Sequence, residues 1–265
     1  MRLSCRESRG VRDAASVATD GYQGVVRVSA GRPRGILRLG AFPVKDLNDM
    51  RRPGRQDDHG PAARSIIARI DRAFTDLPEV RPGAGPYLRR LAECGWSGGT
   101  PPPQELLRHV VVDVAADLYR EQADLPVDLL EFSDGAFDVL FDAAHELTIL
   151  MHGLSRPTPP NSRDKSYHRG FPGRAGFDKG HAMSHAQGGR EGGPNYFLQA
   201  PRVNQRLSPL GMLWRDIESY LAANPGLFCF VRLAYPRGIP TDVPAEAEYG
   251  IMAEGQFRTV IFPNS

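Results

Sequence analysis

Pro157, Pro159 and Pro160, followed by Asn161, set the firmest local constraint in the chain. Proline has no backbone N–H and its ring clashes with the preceding turn. The run 156–163 therefore neither continues a helix nor sits inside a central strand. We expect a domain boundary there, because the texture of the sequence changes across it. Upstream, apolar residues recur at helical spacing; downstream, Gly, His and Arg dominate as far as Gly193.

On the upstream side, residues 1–60 hold only short apolar runs, such as those at 24–28 and 36–39, which read as two short strands or a poorly ordered arm. Ile66, Ile67, Ile70 and Phe74 repeat with a helical period over 61–77. Further helices are predicted over 103–123 and over 134–154, the latter from Phe137, Leu140, Phe141, Ala144 and Leu147. Residues 61–155 thus read as an acidic helical region. In 165–265, Tyr196-Phe197-Leu198 is a short apolar run. Ser208-Pro209 supplies an N-cap and a first-turn proline for a helix bearing Leu210, Leu213, Trp214, Ile217 and Leu221. A strand over 227–235 and a hairpin over 247–253 and 257–262, turning at Glu254-Gly255, complete an α+β reading with an antiparallel sheet.

The formal charge of +2 conceals an uneven distribution. Residues 56–155 carry 17 acidic and 8 basic side chains, whereas 156–206 carry 3 and 9. A basic block between acidic ones suits a polyanion, although solvated surface charge gives the same pattern. The three cysteines, Cys5, Cys94 and Cys229, are scattered and odd in number, so no disulfide framework or Cys-x-x-Cys metal site is written here. With no apolar signal run and no membrane-length apolar stretch, we expect cytoplasmic synthesis without a signal peptide or membrane partner, any export using a dedicated system.

The downstream half contains Phe177-Asp178-Lys179-Gly180-His181, then Asn195-Tyr196-Phe197-Leu198-Gln199, then Asn204-Gln205-Arg206, then Trp214-Arg215-Asp216-Ile217-Glu218. In order and spacing these resemble the DNA/RNA non-specific endonuclease family, a branch of the His-Me finger or ββα-metal nucleases. That family has an Asp-Arg-Gly-His strand, an Asn-x-x-Pro-Gln strand, an Asn at a helix entrance and a Glu four residues after an aromatic. Three positions depart from it: Lys179 replaces Arg, Leu198 replaces Pro, and the interval from Asn204 to Trp214 is longer. The resemblance implies a ββα-metal nuclease domain that hydrolyses DNA or RNA with Mg²⁺ or Mn²⁺ and little sequence specificity. A small nuclease joined to an unrelated amino-terminal region is also the layout of bacterial toxins and effectors, for which an inhibitor or immunity protein is the expected partner.

Phosphodiester hydrolysis needs an activated water, charge neutralised on the phosphate and help for the leaving oxygen. His181 is the candidate general base. Asn204 is the candidate metal ligand, offering a neutral oxygen to an ion that keeps several of its waters. The resemblance gives Glu218 the metal-bound waters and groups Asp178 and Lys179 with the catalytic residues. Arg174, Arg202 and Arg206, with Lys179, are candidate phosphate contacts.

Plainer roles exist for each. A lone His, an Asn before a helix and a helical Glu are ordinarily a surface residue, a cap and a solvated side chain. His181 and His185 stand four apart, a zinc-pair spacing on a helix, but the flanking glycines favour a strand. His168 reads as a substrate contact or an exposed residue. The alternative function is a nucleic-acid-binding or protein-interaction module whose catalytic site has decayed.

Overall fold

The computed structural model describes residues 12–13, 65–158, 162–163, 166, 170–238 and 241–265. The runs at 24–28 and 36–39, any strands supplied by 21–45, and His168 lie outside the described residues. From Ser65 onward the described chain belongs to one compact unit.

Its frame is an eight-stranded sheet ordered β1-β3-β4-β5-β8-β9-β10-β2. The strands are β1 (Arg12–Asp13), β2 (Arg81–Pro82), β3 (Leu129–Asp134), β4 (Phe137–Asp142), β5 (Leu147–Leu154), β8 (Phe228–Ala234), β9 (Glu246–Ala253) and β10 (Gln256–Pro263). A separate two-stranded sheet pairs β6 (Asp178–His181) with β7 (Tyr196–Gln199). The helices are α1 (Ile66–Asp76), α2 (Gly85–Glu93), α3 (Gln104–Gln122), α4 (Pro201–Asn204) and α5 (Pro209–Ala223). No helix among the described residues is long and apolar enough to cross a membrane.

Several elements follow their local signals. Ser65 caps α1, accepting from the Ala68 N–H at 3.1 Å, and Ser208 caps α5, accepting from the Gly211 N–H at 3.0 Å. The β9–β10 hairpin turns at Glu254 and Gly255, both with positive φ. Glu254 also accepts from the Ile66 N–H at 3.0 Å and from the Ser65 hydroxyl at 2.5 Å, tying the start of α1 to this turn.

The helix expected over 134–154 is instead β4 and β5. Phe137, Leu140, Phe141, Ala144 and Leu147 fit a 3.6-residue period by coincidence. Leu147 through Gly153 are all buried because β5 lies inside the sheet with both faces covered, so it shows no alternation. The turn between the strands is built on Asp142, which has no exposed surface. Its Oδ1 accepts from the N–H groups of Asp128 (3.0 Å) and Ala144 (2.9 Å), and its Oδ2 meets the Tyr119 hydroxyl and His145 Nδ1, each at 2.7 Å. Burial alone would raise this carboxyl, but the His145, Tyr119 and backbone hydrogen bonds hold it below its ordinary value. The boundary read at 156–163 falls between β5 and β8, which are neighbours in the same sheet. Cys229 is free and buried.

The two faces of the sheet carry different layers. On one, Tyr249 and Phe262 pack edge-on against Trp214 of α5, with ring centroids 4.9 and 5.1 Å apart. On the other, Phe230 packs against Tyr87 of α2 at 5.1 Å and Phe257 at 6.1 Å. Gly250 pairs with Phe230 across β8 and β9. A Cβ at Gly250 would lie 1.9 Å from the Phe230 ring, so this strand position has no room for a side chain. Gly250→Ala should therefore lower stability by about 1–3 kcal/mol, the usual cost of overpacking a core. Urea unfolding checks this, and an unchanged midpoint would show that the ring moves aside freely.

Candidate active site

The β6–β7 hairpin and α5 make a strand–strand–helix unit on the Trp214 side of the sheet. In the hairpin, Asp178 pairs with Gln199 and His181 with Tyr196. Side chains alternate along a strand, so Lys179 and His181 leave β6 on one side and Asp178 and Gly180 on the other. The glycine in Asp-Lys-Gly-His is a packing requirement, since a Cβ at 180 would stand 2.2 Å from Gln199 Oε1. Phe197 of β7 packs against Trp214 with centroids 6.4 Å apart, joining hairpin and helix.

Between hairpin and helix lies a cavity of about 400 Å³ lined by Arg163, Lys179, His181, Ser184, His185, Ala186, Asn204, Arg215 and Glu218. Four residues singled out in the sequence thus meet in one place, delivered by β6, α4 and α5. Asn204 ends α4, and its Nδ2 donates to Asp178 Oδ2 at 3.0 Å. An ionised carboxylate only accepts, which fixes the amide orientation and turns Asn204 Oδ1 away from Asp178. Gln205 Nε2 donates to the same carboxylate oxygen at 2.9 Å. Asp178 does not line the cavity; it orients Asn204 from behind, a change from its grouping with the catalytic residues.

Glu218 and Trp214 are four apart on α5, and both are buried. Trp214 Nε1 donates to Glu218 Oε1 at 3.1 Å, and Arg215 donates to Glu218 Oε2 at 2.6 Å. Burial raises the Glu218 carboxyl above its ordinary value, and the Arg215 hydrogen bond and charge offset only part of that.

His181 is held by a residue that the motif reading did not pick out. Its Nε2 lies 3.2 Å from Glu191 Oε2, and the Tyr196 hydroxyl donates to the same oxygen. Arg163 donates to Glu191 Oε1 at 3.0 Å, and His185 Nδ1 is 3.9 Å from that oxygen. A carboxylate at Nε2 favours the tautomer that carries the proton on that nitrogen. The Glu191 side chain is only 5% exposed. Burial would raise its carboxyl, but hydrogen bonds from Tyr196 and His181 and the charges of His181 and Arg163 hold it below its ordinary value.

His181 and His185 do not form the helical pair their spacing allows, since His181 ends a strand and His185 opens a single 3-10 turn. Arg174, Arg202 and Arg206 do not line the cavity. Arg174 pairs with Asp242 at 2.7 Å. Arg202 and Arg206 are exposed, and the charge of Arg206 reaches Asp216 and Glu218. The cations that do line the cavity are Lys179, Arg163 and Arg215, two of them missed in the sequence. Arg163 comes from the segment read as a linker, and only its position in the basic block hinted at a role.

No protein-family model matches the chain, and no curated protein does. Solved structures similar to it include the metal-free NucA from Streptococcus agalactiae, at 11% identity and a TM-score of 0.34, covering 54% of this chain and 73% of that one. An extracellular nuclease is 18% identical with a TM-score of 0.34, covering 53% of this chain and 91% of its own. The zinc-bound Sda1 nuclease is 13% identical with a TM-score of 0.35, covering 50% and 74%.

The lowered Glu191 carboxyl has a consequence for acid stability. A group whose folded pKa lies below its unfolded value, near 4.5 here, contributes stability above that value and loses it as the pH falls through the folded pKa. Glu191→Gln keeps the shape without the charge. The variant should be less stable than the parent at about pH 6, and the gap should be smaller at a pH well below about 4.5. Urea midpoints at the two pH values check this; a gap that stays constant would mean that Glu191 acts through shape alone.

Proposed function

We propose that this cavity hydrolyses phosphodiester bonds in DNA or RNA, acting as an endonuclease that requires Mg²⁺ or Mn²⁺. The observation that carries the reading is the convergence of a carboxylate-held histidine, Lys179, Asn204 and Glu218 on one cavity.

In this reading His181 Nδ1 takes a proton from the attacking water while Nε2 keeps its contact with Glu191. The water oxygen bonds to phosphorus and the bond to the departing nucleotide oxygen breaks. Glu191 stabilises the imidazolium formed in that step and fixes the ring, so it is a positioning residue. Lys179, on the same side of β6 as His181, places its charge on a non-bridging phosphate oxygen.

The donors around Asn204 suit a hard cation. Its Oδ1 is turned from Asp178, and both Glu218 oxygens already hold protein donors, which favours Glu218 holding waters over direct ligation. Asn204 would hold the ion directly, with Glu218 behind it. A Mg²⁺ ion bound there supplies positive charge to the scissile phosphate and the leaving oxygen. Contacts through Lys179, Arg163 and Arg215 address the phosphate backbone, which fits cleavage with little sequence preference. A toxin or effector role, with an inhibitor or immunity protein as partner, is proposed on the layout of the chain alone.

Purified protein should nick plasmid DNA with Mg²⁺ or Mn²⁺, and excess EDTA should abolish the reaction. Cleavage that survives chelation would sink the metal requirement, whereas binding without cleavage in any metal would favour the decayed-module alternative. His181→Ala should lower turnover by roughly 10²- to 10⁴-fold with little change in DNA affinity.

Lys179 separates a working phosphate contact from a bystander. Lys179→Ala should lower the cleavage rate by roughly ten- to a hundredfold, the worth of one charge-assisted contact. Lys179→Arg should keep or raise the rate, since guanidinium presents two parallel donors. Equal rates for wild type and folded Lys179→Ala, on two unrelated DNA sequences, would remove the residue from the site.

A further inference from the structure

The opposite face of the sheet holds a group of ligand-type side chains that the cavity does not use. Glu131 of β3, Asp138 of β4 and His152 of β5 each offer one ligand atom, and these atoms lie within 4.8 Å of one another. Strand register brings them together. Asp138 is directly opposite His152 on one side and Ser133 on the other, and Glu131 is two residues along β3 from Ser133. All three therefore project from one face. It is the face that carries α3, because Arg108 of that helix pairs with Asp138. His152 also pairs in register with Phe230, which packs on Tyr87 of α2. The neighbouring Met151 pairs with Val231, which pairs with Tyr249 on the Trp214 side. The sheet thus lies between this group and His181.

The state of His152 is what points to a ligand. Its side chain has no exposed surface, and neither ring nitrogen has a hydrogen-bond partner among the described residues. Nε2 stands 3.5 Å from Glu131 Oε1 without an aligned hydrogen bond. A buried imidazole left in that condition is destabilising, and a cation taking the lone pair of one nitrogen removes part of the deficit. Asp138 is already oriented, its Oδ1 accepting from the Ser133 hydroxyl at 2.6 Å and its Oδ2 from Arg108. The charges of Glu131 and Asp138 outweigh that of Arg108, leaving the group net negative.

We propose that Glu131, Asp138 and His152 form a structural site for a divalent transition cation of the Zn²⁺ class, clipping β3, β4 and β5 together. One imidazole nitrogen and two carboxylate oxygens make a donor set suited to Zn²⁺ or Co²⁺, with water completing the coordination. Mg²⁺, which favours oxygen donors throughout, fits it poorly. The site is independent of the nuclease reading, and its cation is distinct from the one assigned to Asn204.

The test is Zn²⁺ titration of chelator-treated full-length protein by calorimetry, repeated with Co²⁺ followed by its visible absorption. Wild type and Asn204→Ala should each take up a Zn²⁺ ion with a rise in Tm, because binding to the folded state alone stabilises it. Glu131→Gln and Asp138→Asn should bind that ion at least tenfold more weakly and lose the rise in Tm. Both change one partly exposed carboxylate and leave the buried His152 in place, so folding of the apo protein should survive; its circular dichroism is the control. Absence of Zn²⁺ uptake by wild type would overturn the proposal, as would uptake unchanged in both carboxylate variants. Loss of uptake in Asn204→Ala alone would place the ion in the other cavity and overturn it too.

Discussion

Asn195 lies with no exposed surface beneath the loop that follows His181, and its amide is the loop's internal support. It accepts from the Met183 N–H at 2.7 Å and donates to the carbonyls of Met183 at 2.8 Å and Arg190 at 2.7 Å. Removing those bonds would leave buried polar groups unsatisfied at about 1–3 kcal/mol each, a large cost for one loop. Gly189 completes the fit, since a Cβ there would stand 1.9 Å from the Met183 carbonyl oxygen. The turn containing Gln187 is then fixed to the sheet, its amide exchanging hydrogen bonds of 2.8 and 2.9 Å with the Tyr249 hydroxyl. Glu191 meets His181 because these contacts hold the loop in place, not because the two are close in sequence.

The two carboxylates of the region are driven in opposite directions by their surroundings. Glu191 has three donors, Tyr196, His181 and Arg163, and they overcome its burial. Glu218 is buried in the α5 interface, and Arg215 and Trp214 only partly offset the loss of water. In the proposed reaction, a carboxylate held low suits the steady negative partner of a histidine that takes up a proton. One raised and already hydrogen-bonded is better suited to ordering solvent than to gripping a cation. Divergent environments for two similar groups are how one site assigns them different work.

The motif residues were legible because their chemistry is local. Asp-Lys-Gly-His must be a strand with an unhindered glycine, Ser208-Pro209 must open a helix, and the four-residue step from Trp214 to Glu218 must bring them to one face. The β9–β10 hairpin was legible for the same reason, its turn sitting at Glu254-Gly255. β4 and β5 were not, because a strand buried on both faces loses the alternation that marks strands, and the spacing of its apolar residues mimicked a helix. Glu191 and Arg163 were illegible on other grounds. Their positions arise from a 3-10 turn, an amide staple and a contact between Arg163 and Glu191, none of which has a period or a motif.

The sheet itself explains how the protein keeps a cavity lined by Lys179, Arg163 and Arg215 without loosening its core. β5, β8 and β9 are buried on both sides, with helices α2 and α3 covering one face and α5 and the loop the other. Some polar groups in this core are paired, as where Arg232 donates to Glu248 Oε2 at 2.7 Å and Tyr87 donates to the same oxygen at 2.9 Å. The cavity is built outside that layer, on a hairpin joined to it by the Phe197–Trp214 contact and the Gln187–Tyr249 hydrogen bonds. Charge at the site is thereby kept apart from the apolar packing, and residues such as Lys179 can change without disturbing the sheet. A substitution at Trp214 has no such freedom, because that ring touches Tyr249, Phe262 and Phe197 and hydrogen-bonds to Glu218. Trp214 thus touches the sheet, the hairpin and Glu218 at once, which ties the position of the glutamate to the packing of the core.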